Sequence, residues 1–532
     1  MINVWKCLGK STLIRLIGED NLNFAENILP DIAREFGKDP EDYLDIVSKQ
    51  SKLAELFSVS AMSEAITKKD FRKELLDYLS PEYREKLQKA FKKFDNYDSL
   101  VKHICSKPWT RNPAVETFCD CLDIPIDIVP ETRDVIPDFE TLQHPQNITP
   151  PFKQLKSYQM RTVANATEEL ESPRSRFMLQ MPTGSGKTRV AMEIVCNVLT
   201  KYSEEERNKV FKSKDGINVI WLANREELLE QAYMCFREVW SHLSNQDINI
   251  IRFFGGKAKN YFKSMDKNTL SICGLDKLHK ELDKNTNELE QFSKKTVLIV
   301  FDEAHGIEAE TYRSTVTKMM GIQCGLIGLS ATPGRADEIE QENLKSTFNN
   351  KLLKLDCGKE SPIIYLRNRG ILSKTSLELL EITPNIKFTR KELDYVRDEM
   401  KLPGTVLNQL GKERVRNLEI VKKIRNEYDN NKKIIVFAID LNHSKRLNLI
   451  LNFMDIKAAH IDGTTKNRKY LLDKFQRGEI RVLCNGDLLA TGFDAPKIDV
   501  VVIARPVGSA GLKLQMLGRG MRGPKLGGTE YC

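Results

Sequence analysis

At 532 residues, with 41% apolar and 29% charged residues, the chain is too long for one core and too apolar for wholesale disorder. No apolar run approaches the roughly 18 residues of a membrane helix, and residues 1–13 lack the apolar stretch of a secretory leader, so a cytoplasmic protein with no membrane partner is expected. Net charge is −6 over residues 1–150 and +14 over residues 151–532, which directs any polyanionic partner to the second stretch.

Residues 1–128 read as helices, with apolar positions three and four apart in Tyr43, Ile46 and Val47 and again in Phe71, Leu75, Leu76 and Leu79. Pro30, Pro81 and Pro113 are expected at helix boundaries. Gly9-Lys-Ser-Thr12 has a phosphate-loop composition but no preceding strand, and is read as the start of a helix. Residues 129–151 form a proline-rich linker or an extended segment lying on a neighbour. Beyond it, short β-branched runs alternate with helical stretches. Phe177 to Met181, Asn218 to Ala223, Thr269 to Cys273, Thr296 to Asp302 and Cys324 to Ser330 make one strand series. Lys433 to Ala438, Ala458 to Ile461, Ile480 to Cys484 and Asp499 to Ala504 make a second. Strands that alternate with helices imply parallel, doubly wound sheets. The expected fold is therefore α/β: two tandem parallel-sheet domains, 152–358 and 359–532, joined near 356–372 and preceded by a helical domain. Eleven cysteines without a CxxC pair are expected as reduced, buried thiols.

Met181-Pro-Thr-Gly-Ser-Gly-Lys-Thr188 follows a strand and opens a helix. The loop Thr183, Gly184, Ser185 and Gly186 can wrap phosphate oxygens with backbone amides, Lys187 can neutralise β and γ phosphates, and Thr188 can ligate magnesium. Met181 departs from the strict pattern, which has glycine there. The run Val297 to Phe301 delivers Asp302-Glu-Ala-His305 to the carboxyl end of a strand, where ligands of open α/β sheets bind. Asp302 can hold magnesium and Glu303 can orient or deprotonate the attacking water.

These motifs, in this order, resemble superfamily 2 helicases of the DEAD/DEAH-box group, and more narrowly their RadD-like and XPB-like DNA branch, over residues 152–532. The resemblance implies two RecA-like domains, ATP and magnesium as cofactors, and further roles. Gln159 would recognise adenine, and Gly492 and Asp494 would sit beside the ribose. Gln515-Met-Leu-Gly-Arg-Gly-Met-Arg522 matches the family's sixth motif. Its two guanidinium groups, on Arg519 and Arg522, share a helical face and can reach a γ-phosphate from the opposing domain, with Gln515 helping to place water. Ser330 and Thr332 would relay motion between motifs, or simply cap a helix, and His305 would couple motifs. Arg225 would contact a nucleic-acid phosphate, or form a surface ion pair within its helix. Gly274 stands where many relatives carry threonine, which removes one expected strand contact. Relatives continue beyond the sixth motif, so Tyr531 and Cys532 are expected to be a truncated end.

The activity implied is that of an ATP-dependent helicase or translocase acting on DNA in preference to RNA, compatible with DNA repair or phage defence. An ATP-driven scaffold, recruiting a protein partner through the helical N-terminal domain with little unwinding, is the reading from another class.

Overall fold

The β-branched runs form two sheets whose strands all point the same way except one at an edge. The computed structural model describes residues 4–129, 137–143, 154–201, 216–244, 246–255, 267–282, 286–304, 310–321, 323–331, 342, 345–399, 401–465, 467–490, 497–508 and 510–532. The first sheet contains β1 (Phe139–Leu142), β2 (Arg176–Gln180), β3 (Asn218–Ala223), β4 (Ile248–Phe253), β5 (Thr269–Gly274), β6 (Thr296–Asp302), β7 (Gly325–Ser330) and β8 (Leu352–Lys354). Their spatial order is β1-β4-β5-β3-β6-β7-β2-β8, parallel throughout apart from the antiparallel pairing of β1 with β4. The second sheet contains β9 (Ile434–Ala438), β10 (Ala458–His460), β11 (Val482–Asn485) and β12 (Val500–Ala504), parallel in the order β10-β11-β9-β12. These are two RecA-like α/β domains, called here the first and second lobes.

Every residue of β3, β4, β6 and β7 is buried, because helices cover both faces of a parallel sheet. Pairing of β6, β7 and β2 sets Asp302 beside Leu329 and Gln180 beside Ser330, so three motif-bearing strand ends lie side by side. Three strands of this sheet, β1, β4 and β8, were not expected from the sequence. Asn249 and Arg252 interrupt the apolar run of β4, yet both are buried. Thr141 donates to Asn249 Oδ1 at 2.8 Å, and Arg252 pairs with Glu230 while lying 4.8 Å from the Tyr233 ring. β1 comes from the proline-rich stretch, which thereby adds an edge strand to the first lobe.

The N-terminal residues are helical, with two corrections. Pro81 and Pro113 open their helices, where a missing N–H costs nothing, but Pro30 lies inside the helix Glu19–Glu35 rather than at its end. Tyr43, Ile46 and Val47 belong to short 3-10 turns, Pro40–Tyr43 and Ile46–Ser48, instead of an α-helix. Gly9 precedes the helix Lys10–Ile17, as a helix start requires.

This helical module shares a continuous apolar core with one face of the second lobe: Leu29, Ile32, Leu53 and Phe57 join the same buried cluster as Ile420, Val421, Leu447 and Ile450. Tyr43 meets Phe453 edge-on with 6.3 Å between ring centroids, and Lys38 to Asp455 (2.7 Å) and Lys422 to Glu35 (3.0 Å) rim the contact. Among the described residues no helix is long and apolar enough to cross a membrane.

Candidate functional site

β2 ends at Gln180, and residues 181–186 lead into the helix Lys187–Lys201. Gly184 and Gly186 have φ of 82° and 86°, which residues bearing a Cβ rarely adopt and which lets consecutive amides form an anion-holding concavity. A Cβ on Gly186 would also stand 2.4 Å from Gln159 Nε2. Met181, the departure from the usual pattern, is fully buried in the first-lobe core. The close neighbour of the loop is the helix Ser157–Glu169: Tyr158 Oη and Gln159 Nε2 both donate to the Ser185 carbonyl, at 2.7 and 3.1 Å. Gln159 Oε1 in turn accepts the Lys156 N–H at 2.8 Å. The amide assigned to adenine thus ties its helix to the phosphate loop.

Lys187 is enclosed, and its Nζ lies 3.0 Å from Glu303 Oε1 and 3.7 Å from Asp302 Oδ1. Burial alone would lower the Lys187 pKa, but the two carboxylates outweigh it and hold the ammonium above its usual value. Burial pushes Asp302 the other way, above the usual carboxylate range, although Lys187 pulls against it. Glu303 has φ of 54°, a strained conformation for a residue with a side chain, costing roughly 1–3 kcal/mol. It turns the chain sharply off β6 while Asp302 Oδ1 accepts the Glu303 N–H at 3.0 Å. Such strain at a strand end persists where surrounding structure fixes it.

The second lobe closes on this site. Gln515, on the helix Ala510–Leu517, donates from Nε2 to Glu303 Oε2 at 3.4 Å. A Cβ on Gly518 would stand 2.4 Å from Thr183 Cγ2, so the glycine permits the close approach of the two lobes. The helix ends at Leu517, so Arg519 and Arg522 follow it in a turn and a bridge instead of sharing a helical face, and Arg519 Nε donates to the Ala490 carbonyl of its own lobe at 3.1 Å. The backbone of Arg522 bridges to Leu372 in the connection between lobes, and its carbonyl accepts Ser373 Oγ at 2.7 Å.

The structure therefore brings together Gln159, Ser185, Gly186, Lys187, Asp302 and Glu303, with Gln515 arriving from the second lobe. Thr183, Gly184 and Thr188 lie on the same loop and helix start. Ser330 is buried at the end of β7, where its carbonyl accepts the Met181 N–H at 3.1 Å. Arg225 stands apart, half-buried at the start of the helix Glu226–Leu243. His305, Thr332, Gly492 and Asp494 lie outside the described residues. One contact escaped the sequence reading: Arg468 Nη1 reaches Glu227 Oε1 across the lobes at 2.5 Å. The only local signal was the turn Asp462-Gly-Thr-Thr465, whose carbonyl at Asp462 accepts Arg468 Nη2 at 3.1 Å.

An enclosed ammonium, left-handed glycines at a helix start, the Thr188 hydroxyl and a buried carboxylate on Asp302 form the donor set that a nucleoside triphosphate with magnesium requires. The family model described as "Type III restriction enzyme, res subunit" matches residues 152–335, and that described as "Helicase conserved C-terminal domain" matches residues 416–523. The Saccharomyces cerevisiae protein IRC3, named provisionally as an ATP-dependent helicase, is 25% identical over 381 residues, which are 69% of this chain and 49% of that protein. Methanocaldococcus jannaschii MJ1505, named provisionally as an ATP-dependent RNA helicase, is 22% identical over 485 residues, with 73% of this chain and 59% of that protein covered. The crystal structure of the Pyrococcus furiosus Hef helicase domain aligns with a TM-score of 0.44 and 20% identity, over 71% of this chain and 94% of that one. The chain spans only about half to three fifths of the length of these two curated relatives. With both RecA-like domains matched by their family models, the chain belongs to the superfamily 2 helicases, its first lobe of the type III restriction res-subunit kind.

Proposed function

We infer that the chain hydrolyses ATP between its lobes and uses the lobe movement to travel along nucleic acid, DNA in preference to RNA. The observation that carries this reading is the meeting of Lys187, Asp302 and Glu303 with Gln515, which comes from the other lobe and stands 3.4 Å from Glu303. A site completed by two lobes makes cleavage sensitive to their separation.

Each residue has a definable task. Lys187, once drawn from the carboxylates to phosphate, neutralises charge on the transferred group. Magnesium, held by Thr188 and Asp302, would supply further neutralisation of the phosphate oxygens. Glu303 accepts the proton of the attacking water, and Gln515 steadies that carboxylate. Arg519 and Arg522 serve as arginine fingers when the lobes tighten, which requires Arg519 to leave the Ala490 carbonyl. Gln159 recognises adenine through the free valences of its amide, while Gly492 and Asp494 attend the ribose. Ser330, Thr332 and His305 couple the site to the nucleic-acid path, on which Arg225 meets a phosphate.

DNA is favoured by the res-subunit family match of the first lobe, and RNA by the name of the archaeal relative. All eleven cysteines are free, seven of them buried, which suits a reducing, cytoplasmic compartment. The test is steady-state ATPase activity with single-stranded DNA, duplex DNA and RNA at one fixed salt concentration, since phosphate contacts are strongly salt-dependent. Stimulation by DNA above RNA is expected. Stimulation by RNA alone moves the substrate assignment, and stimulation by neither removes the motor reading.

A further inference from the structure

At the opposite end of the first sheet from the nucleotide site lies a cavity of about 200 Å³ that no motif accounts for. Arg176, the first residue of β2, and Arg313, on the helix Glu310–Met319, line it together with Val316, Met320 and Leu326. β2 separates the cavity from the phosphate loop: four residue steps at about 3.3 Å each place them about 13 Å apart along the strand. The cavity is thus distinct from the cleft between the lobes.

Its charge is unbalanced. Both arginines are partly buried, and among the described residues no acidic side chain lines the cavity. Arg313 Nε is shut off from solvent without a hydrogen-bond partner. The Thr317 hydroxyl, also in the wall, is already directed to the Arg313 carbonyl at 2.9 Å. Arg176 and Arg313 bring two positive charges to the wall of one partly apolar hollow, and a donor withdrawn from water without an acceptor is unfavourable. Elsewhere in this molecule shielded arginines do find acids, as Arg252 finds Glu230 and Arg189 finds Glu193, although their Nε atoms too have no hydrogen-bond partner. Among the described residues, what the Arg176 and Arg313 arrangement lacks is an anion.

We propose that this cavity is a binding site for a small oxyanion of the phosphate class, held by the guanidinium groups of Arg176 and Arg313. Planar guanidinium forks match tetrahedral oxyanions with paired, charge-assisted hydrogen bonds. The volume falls below the roughly 300 Å³ at which pockets for drug-sized ligands begin, so the occupant is inorganic phosphate or a compact phosphate monoester. The apolar wall of Val316, Met320 and Leu326 would accommodate the ester's carbon atoms.

The test uses the full chain with ADP and magnesium present, so that the nucleotide cleft is filled. Thermal unfolding midpoints are followed against inorganic phosphate, and separately against glycerol 2-phosphate, with chloride holding ionic strength constant. The native chain should show a saturable rise with phosphate beyond chloride. A stronger response to glycerol 2-phosphate would assign the site to esters, and a response to phosphate alone to the free ion. Arg313→Gln and Arg176→Gln should each weaken the apparent affinity by about tenfold or more, while ADP affinity stays unchanged. In chloride alone Arg313→Gln should unfold no earlier than the native chain, because it removes an unpaired charge. Arg313→Lys, which keeps charge without the fork, should fall between. The proposal is overturned if the native chain shows no saturable response to either ligand. It is equally overturned if both glutamine variants respond as the native chain does, which would place the phosphate in the nucleotide cleft.

Discussion

The nucleotide cleft and the seam between the helical module and the second lobe are both contacts between separate parts of the chain, but they are made from opposite materials. The cleft is lined by Lys187, Asp302, Glu303 and Gln515, polar groups at strand ends and helix starts that meet through hydrogen bonds and charge. The seam is a largely apolar core of residues such as Leu29, Phe57, Leu447 and Ile450, with the ion pairs of Lys38 with Asp455 and of Lys422 with Glu35 at its rim. A polar contact can open and re-form with little loss because water replaces each partner, whereas separating an apolar seam exposes every residue in it. The cleft is therefore the contact whose materials suit parting, and the seam the one whose materials suit holding.

If that contrast is right, changes at the two places should separate cleanly. Large effects are expected at the cleft: Glu303→Gln should lower ATP turnover by about 10²–10⁴-fold, measured by phosphate release. Nucleotide affinity and the unfolding midpoint should stay near their native values. At the seam, Ile450→Ala should cost about 2–5 kcal/mol of stability through lost burial and an unfilled cavity, measured by urea unfolding, with turnover per folded molecule unchanged. The module and second lobe should still unfold together. Two resolved transitions, with the module melting first, would break the comparison.

A smaller effect distinguishes the seam by pH. His443 is buried near it, taking the Ile439 N–H on Nδ1 at 3.2 Å and lying 2.7 Å from Asn417 Oδ1 through Nε2. Burial, helped by Arg416 and Arg446, lowers its pKa to about 3. The unfolded chain takes up this proton near pH 6.5 and the folded chain refuses it, so stability is lost as pH falls from about 6.5 toward 3. The loss should be about 1.4 kcal/mol per pH unit from this residue, and unfolding measured at pH 7 and pH 5.5 should show it. His443→Gln should flatten that slope. The smallest effect is expected at the rim: Lys422→Ala, which removes the exposed pairing with Glu35, should cost about 0–1 kcal/mol.

The same contrast explains what could be read in the sequence. The cleft is written in short contiguous stretches, because a phosphate loop needs Gly184, Gly186, Lys187 and Thr188 in adjacent positions and Asp302-Glu303 must sit at one strand end. The parallel strands were legible for a similar reason, since burial on both faces demands unbroken apolar runs. β4 was not, because Asn249 and Arg252 look like solvent positions until Thr141, Glu230 and Tyr233 are placed around them. Nor was the seam, because Ile28, Leu29 and Ile32 have a sufficient local explanation as the apolar stripe of one helix, and nothing in that stripe names the surface that covers it. Pro30 misled for a related reason: proline's local preference for helix boundaries was outweighed by the burial on both sides of it. The contact of Arg468 with Glu227 joins residues 241 apart in the chain, and no motif spacing encodes it.

The proposed motor needs hydrolysis to be completed by the second lobe. The most direct measurement is ATP turnover of Arg519→Ala beside the native chain, each with saturating nucleic acid, with ATP affinity measured on both. The expected result is native-like ATP affinity with turnover reduced by about 10³–10⁵-fold. Turnover at the native rate in Arg519→Ala would show that this second-lobe guanidinium does not complete the site, and would contradict its role as an arginine finger.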